Sequence, residues 1–278
     1  MDIDKRVTAV RLDLAAAHLK GKVNAQRFVE GRAAQVSRGL VGLHSAPTDT
    51  SGLRTQLLFG EGFTIYEEKH GWVWGQAALD DYVGFARAEC FGPPAAPTHR
   101  VVSLATPLFA APDVKKGARD MLPMNAKLAV AEEEGRFARL TNGCYVFAGH
   151  LAPLGAQTSD WVAVAERFAG APYLWGGKTA AGIDCSGLVQ TALEAGGIAS
   201  PRDTDMMESA LGTAIALDST LTRGDLIFWK GHVGLMLDSE RLLHASGFSM
   251  EVAVEPLTTV RERTLSLEGL PIRTIRRL

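Results

Sequence analysis

Apolar positions along the chain change rhythm three times. Between residues 32 and 92 they come in short alternating runs broken by Gly, Pro and Asp. "GFTIYEEKHGWVWG" predicts two strands about a turn at Lys69, His70 and Gly71, and "YVGFARAE" predicts a third. "CFGPPAAPTHR" follows, and its prolines Pro93, Pro94 and Pro97 predict a stiff linker and a domain boundary. From 98 to about 152 the theme returns. Gly71, Trp72 and Trp74, then Tyr82, Val83 and Phe85, match Gly135, Phe137 and Leu140, then Tyr145, Val146 and Phe147. Two copies of a small β-barrel would account for that repetition.

After "LAPLG" the period lengthens to that of helices. Ser159 or Asp160 can cap a helix whose Trp161, Val164, Ala165 and Phe168 share one face, with Gly170 and Pro172 ending it. "CSGLVQTALEAGG" predicts a second helix, with Leu188, Val189, Ala192 and Leu193 as its stripe and Gly196–Gly197 as its stop. "GDLIFW", "HVGLMLD" and "RLLHAS" then read as consecutive strands. Helices followed by an antiparallel sheet predict an α+β domain. Ahead of all this, the Ala-rich stretch "RLDLAAAHLKGKVNAQRFVEG" is a candidate short helix before Gly31. The expected divisions are an N-terminal extension over 1–30, β modules over 31–92 and 98–152, and the α+β domain over 156–278.

Composition narrows the function classes. A chain of 278 residues, 46% hydrophobic and 22% charged, has ample core for a soluble globular protein of one to three domains. A net charge of -2 gives no electrostatic reason to expect nucleic acid or an anionic membrane as partner. The basic cluster Arg273, Arg276 and Arg277 reads as a solvated edge. No apolar run has the length of a signal peptide core or a membrane span, so the expectation is a cytoplasmic protein without membrane insertion. Cys90, Cys144 and Cys185 are odd in number and far apart, which suits a reducing compartment and not a disulfide framework.

Cys185 carries the chemistry. A buried inert thiol is the commonest fate of a cysteine. Here the residue precedes its helix's apolar stripe and so falls at the helix N-terminus. Unpaired amides and the macrodipole there favour a thiolate and predict a lowered thiol pKa. The N–H of Cys185 itself could also hold the oxyanion formed on attack at a carbonyl. A base is needed, and His232 opens the strand "HVGLMLD", with His244 in the next. An odd hairpin loop such as Asp238, Ser239 and Glu240 would place both on one face, about two residues or roughly 7 Å apart. A two-residue loop would separate them unless a bulge intervened. His232 would then act as base, with His244 fixing its tautomer. A Cys-His-His zinc site is the alternative for the same trio, but no metal or cofactor is expected, since no further acid or supporting pattern stands out. His18, His44, His70, His99 and His150 read as surface or core residues.

The motifs "PYLWGG", "DCSGLVQ", "RGDLIFW", "HVGLML" and "LLHAS" resemble, in order and spacing, the NlpC-type cysteine peptidases, which have a papain-like fold; the likeness covers about 155 to 260. It implies a nucleophile at Cys185, a base at His232, an orienting residue at His244 and Tyr173 near the oxyanion; Tyr173 packing beside Trp175 is the plainer reading. The two β modules resemble bacterial SH3-like domains. The whole fold expected is therefore an α+β papain-like catalytic domain preceded by two small all-β SH3-like barrels. The arrangement resembles γ-D-glutamyl-L-diamino acid endopeptidases, whose substrate is a murein-derived peptide. That resemblance implies a pocket for the free amine of an N-terminal L-Ala, made by Asp184 and Ser186 with Glu61 and Tyr82 from the first SH3-like domain. Arg202 would face a substrate carboxylate or form a surface salt bridge. A buried ammonium needs such acceptors in place of water. The implied reaction is cleavage of the γ-D-glutamyl bond to lysine or diaminopimelate during wall-peptide recycling. The competing accounts are a Cys-His amidase or acyltransferase on another amide, and a non-catalytic wall-peptide-binding protein.

Overall fold

A computed structural model describes residues 3–278, and its chain divides into two compact units, Met1–Ala156 and Gln157–Leu278. In the first unit the alternating runs pair as expected. One antiparallel sheet has the strand order Leu53–Leu58, Leu40–His44, Val83–Arg87, Trp72–Ala77, Gly62–Lys69, Arg32–Val36 and Phe91–Gly92. Its inward side chains, among them Val36, Leu43, Phe63, Val73 and Ala86, form a single core. A five-stranded antiparallel sheet, Ala118–Pro123, Ala105–Phe109, Tyr145–Phe147, Phe137–Leu140 and Val130–Glu134, repeats the theme. It belongs with a second core around Val101, Leu122, Leu140 and Val146.

The segment expected to be a stiff proline linker is held in place. Gln35 pins it, donating to the Ala95 carbonyl at 2.9 Å and accepting from the Ala95 N–H at 3.0 Å. Further hydrogen bonds cross within this unit: Lys127 N–H donates to the Phe59 carbonyl, and Asp120 of the five-stranded sheet accepts from the Gly39 N–H. The Ala-rich stretch near the start is not the expected α-helix; of the extension over 1–30, residues 1 and 2 lie outside the described ones. Ala15–Ala16 pairs in parallel with Phe28–Val29, and only Ala17–Leu19 makes a 3-10 turn. Leu14 and Ala16 are buried with Trp74 and Val83, and tertiary packing of this kind overrides helix propensity.

The second unit is α+β. Helix α1 (Trp161–Glu166) is capped by Asp160, which accepts from the Ala163 N–H at 3.0 Å. Helix α2 (Cys185–Ala195) is buried on nearly every side. It packs on α1 and on the strands His232–Met236 and Arg241–Ser246, which makes it a core helix and explains its unbroken apolar character. The sheet runs in the order Thr213–Ile215, Thr274–Arg277, Leu226–Trp229, His232–Met236, Arg241–Ser246 and Glu251–Pro256. Two further helices, α3 (Thr204–Ala210) and α4 (Leu257–Glu268), complete the unit. No helix among the described residues is long and apolar enough to cross a membrane.

Candidate active site

Cys185 is the first residue of α2, so its backbone N–H is one of the four amides with no partner inside the helix. Asp184 is the cap. Its carboxylate accepts from the N–H groups of Gly187 and Gly176, both at 2.7 Å, and from the Arg202 guanidinium at 2.7 and 3.0 Å. The Ser186 hydroxyl donates to the same carboxylate at 3.3 Å and accepts from Arg202 at 2.7 Å. Arg202 is 1% exposed, so its ion pair is a buried one and not the surface salt bridge considered above. The segment Arg202–Thr204 closes over the N-terminus of α2, and the Thr204 hydroxyl lies 3.9 Å from the Cys185 sulfur. Gly187 lets the Gly177 backbone approach α2 closely: a Cβ there would meet the Gly177 carbonyl oxygen at 2.2 Å.

The electrostatics differ from the sequence expectation. Burial pushes the Cys185 thiol up, and the Asp184 charge pushes it further. The Val233 N–H, the Thr204 hydroxyl and Arg202 act the other way without prevailing. A helix N-terminus favours a thiolate, but this one lies under a carboxylate in a buried setting. His232 is held down to about 3, by burial first and then by His244 and Arg263. Thiol and imidazole are therefore both neutral at rest. Tyr173, half-buried, is pushed up to about 12 by burial first, with the Asp184 charge adding to it, so it is a neutral phenol. A parallel bridge to Ile183, two residues before the cysteine, fixes the Tyr173 backbone, while Trp175 is 68% exposed.

The hairpin between the two histidines has an odd loop. Leu235 pairs with Leu243 and Met236 with Leu242, and the Leu237 N–H donates to the Arg241 carbonyl, leaving Asp238, Ser239 and Glu240 as the turn. Asp238 closes it by accepting from the N–H groups of Glu240 and Arg241. This register puts His244 opposite Gly234 and on the same face as His232. The rings meet with Nε2 of His232 2.8 Å from Nδ1 of His244. Gly234 makes room for them: a Cβ would lie 2.9 Å from Leu242 Cδ1 and 3.1 Å from His244 Cβ. Gly234→Ala is therefore expected to destabilise the second unit by about 1–3 kcal/mol through overpacking. Urea unfolding would measure this, and wild-type stability would refute the packing argument.

The same step repeats across the next strand pair. His244 lies opposite Ala253, and Glu255 is two residues on, again on the same face. Glu255 Oε2 is 2.8 Å from His244 Nε2. From α4, Arg263 donates to both Glu255 oxygens at 2.7 and 2.9 Å, and its guanidinium lies over the Phe248 ring at 4.5 Å. Arg263 above all holds the Glu255 carboxyl down at about 2. His244 is pulled below the usual histidine range by burial, against the pull of Glu255. Sequence reading missed Glu255 and Arg263; alternation in "EVAVEP" was the available signal. A cavity of about 390 Å³ opens beside both imidazoles, lined also by Tyr173, Lys230, Ser246 and Phe248.

Glu61 and Tyr82 lie in the first unit. Both are buried, at 2% and 4% exposure, and Tyr82 is part of that unit's core with Phe63 and Val73.

A thiol at the N-terminus of a helix that packs on the strands carrying a hydrogen-bonded histidine pair, on an α+β scaffold, defines a class, and comparison with known proteins identifies it. Residues 170–266 match the NlpC/P60 family, and residues 43–89 match the bacterial dipeptidyl-peptidase SH3 domain. The probable endopeptidase NlpC of Escherichia coli K12 is 35% identical over 117 residues, covering 39% of this chain and 68% of that protein. The chain belongs to the NlpC/P60 family. It is 32% identical over 150 residues to the gamma-D-glutamyl-L-lysine dipeptidyl-peptidase of Bacillus subtilis, covering 49% of this chain and 50% of the relative. It is 40% identical over 110 residues to dipeptidyl-peptidase 6 of Lysinibacillus sphaericus, covering 40% of each. The chain thus spans half the length or less of these two relatives. An NlpC/P60 family protein from Bacillus cereus ATCC 10987 shares the fold, with a TM-score of 0.74 at 20% identity, over 88% of this chain and 99% of that one.

Proposed function

We propose that the chain is a cysteine peptidase that cleaves the γ-D-glutamyl bond to a diamino acid in murein peptides carrying a free N-terminal L-Ala. The observation that carries this reading is the Cys185 thiol at the start of α2, bonded by the Val233 N–H, with His232 next to that residue and hydrogen-bonded to His244. In the reaction His232 takes the thiol proton as the sulfur attacks the γ-carbonyl carbon. The carbonyl π bond opens to an oxyanion, held by the Cys185 N–H and the neutral Tyr173 hydroxyl. As the carbonyl reforms, the C–N bond breaks and His232 returns the proton to the departing amine. Water, deprotonated by His232, then releases L-Ala-D-Glu from the thioester and restores the thiol. A neutral resting pair suits general-base attack, in which proton transfer accompanies bond formation.

For the amine end we propose Ser186, Asp184, Glu61 and Tyr82. Asp184 already takes five donors, so its part is to hold Ser186 and the start of α2 in place. Arg202 is assigned to the same support, through that carboxylate, and not to a substrate carboxylate. We propose further that residues 31–92 and 98–152 form two SH3-like barrels, that residues 156–278 form the catalytic domain, and that the protein recycles wall peptides in the cytoplasm. The name of the Bacillus subtilis relative, a gamma-D-glutamyl-L-lysine dipeptidyl-peptidase, supports the substrate class.

The test is incubation with L-Ala-γ-D-Glu-L-Lys and its diaminopimelate counterpart, each free and N-acetylated, with products read by mass spectrometry. Release of L-Ala-D-Glu from the free peptides, with acetylation costing at least about tenfold in kcat/KM, one lost charge-assisted contact, is the expected result. Equal turnover of free and acetylated peptides would remove the amine pocket. No release from any of them would remove the substrate class.

A further inference from the structure

Three strands carry His232, His244 and Glu255 in diagonal steps of two residues, and α4 adds Arg263 at the far end. Each link is a hydrogen bond whose direction has to be assigned. A carboxylate can only accept, so His244 Nε2 must be the donor to Glu255. Neutral His244 then has a bare Nδ1, which can only accept, so His232 Nε2 must be the donor to it. The remaining nitrogen of His232, Nδ1, is left with its lone pair.

We propose that Glu255, clamped by Arg263, is a positioning residue that sets the direction of this chain and so keeps His232 Nδ1 unprotonated as the site that receives the thiol proton. The proposal rests on His232 being the base of the reaction described above. A His–His pair has no inherent direction: either ring can donate to the other. If the chain ran the other way, His244 would donate to His232 Nε2 and the proton of His232 would sit on Nδ1, where no proton could be accepted. An acceptor-only group at the far end of the chain removes that ambiguity. Arg263 contributes by filling the remaining lone pairs of Glu255 in a two-bond fork, which fixes the carboxylate plane and keeps it ionised. Its stacking on Phe248 holds the guanidinium in turn. In metal sites, partners that orient a ligating histidine cost about 10- to 100-fold when removed, and the same scale is expected of Glu255 here.

The experiment is nitrogen-15 NMR of the imidazole nitrogens in histidine-labelled full-length protein near neutral pH, without substrate. In the wild type, both His232 and His244 are expected to carry the proton on Nε2, with Nδ1 in the unprotonated range. In Glu255→Ala that single pattern should be lost, with Nδ1 of His232 protonated in part or in full. The same variant should lower kcat/KM about 10- to 100-fold with KM little changed. A reversed pattern in the wild type would overturn the proposal with no variant needed, and so would an identical Nε2–H pattern in Glu255→Ala. Because tautomers are read without turnover, failure of the murein-peptide assay would remove only the substrate reading, and a wrong tautomer pattern would remove only this proposal.

Discussion

Cys185→Ala is expected to lower hydrolysis of the murein tripeptides about 10,000-fold or more while leaving the fold intact. The magnitude follows from the role: a nucleophile and its base act as a unit, and removing either removes most of the catalytic advantage. His232→Ala should lose about as much, and the double variant little more than either single one. The fold should survive because the thiol is small and neutral in the resting protein, so its loss leaves no buried charge behind. Burial and Asp184 hold the thiol up while burial holds His232 down, and these two shifts together disfavour a preformed thiolate–imidazolium pair. Peptide hydrolysis rates and thermal melts of the three variants measure both halves of the prediction. A Cys185→Ala protein that retained wild-type turnover would refute the assignment.

The second large effect is on stability. Arg202→Met is expected to destabilise the second unit by about 3–5 kcal/mol, because the Asp184 carboxylate would stay buried without its cation. For a unit of this size that corresponds to a melting point lower by roughly 10 °C or more. Arg202 and Asp184 are 1% and 6% exposed, so water cannot easily replace the lost partner. Activity should fall as well, since Asp184 caps the helix that begins with the nucleophile and Arg202 also bonds the Ser186 hydroxyl. Differential scanning calorimetry is the check, and a melting point within error of wild type would show that the pair contributes little.

The parts legible in the sequence were those encoded by local period and by parity. Alternation found the hairpin about His70 and Gly71, and the 3.6-residue stripe found α2 with its Gly196 stop. Loop parity set the condition for His232 and His244 to share a face, an odd turn, because side chains in a strand alternate with a period of two, and the three-residue turn meets it. The rest depended on partners distant in sequence. Thr213–Ile215 and Thr274–Arg277 pair across more than fifty residues, and neither is apolar enough to declare itself. Glu255 becomes informative only once its strand is known to pair with that of His244. The helix N-terminus alone does not set the thiol pKa: burial raises it, and Asp184, visible in the sequence as a candidate amine acceptor, is also a charge against the sulfur.

The N-terminal stretch shows the opposite failure. Its alanines favour a helix when taken alone, yet Leu14, Ala15 and Ala16 are each fully buried. The Ala15 and Ala16 N–H groups bond the Arg27 and Ala9 carbonyls, so the backbone is satisfied by the tertiary structure and a helix would gain nothing further.

Catalysis by Cys185 requires a transient covalent bond to its sulfur. Rapid acid quench of wild-type protein mixed with L-Ala-γ-D-Glu-diamino acid peptide, followed by proteolysis and mass spectrometry, looks for that bond directly. The predicted result is an L-Ala-γ-D-glutamyl thioester on the fragment containing Cys185 and on no other fragment. Steady release of the diamino acid with Cys185 never modified, or with the acyl group on a different residue, would contradict it.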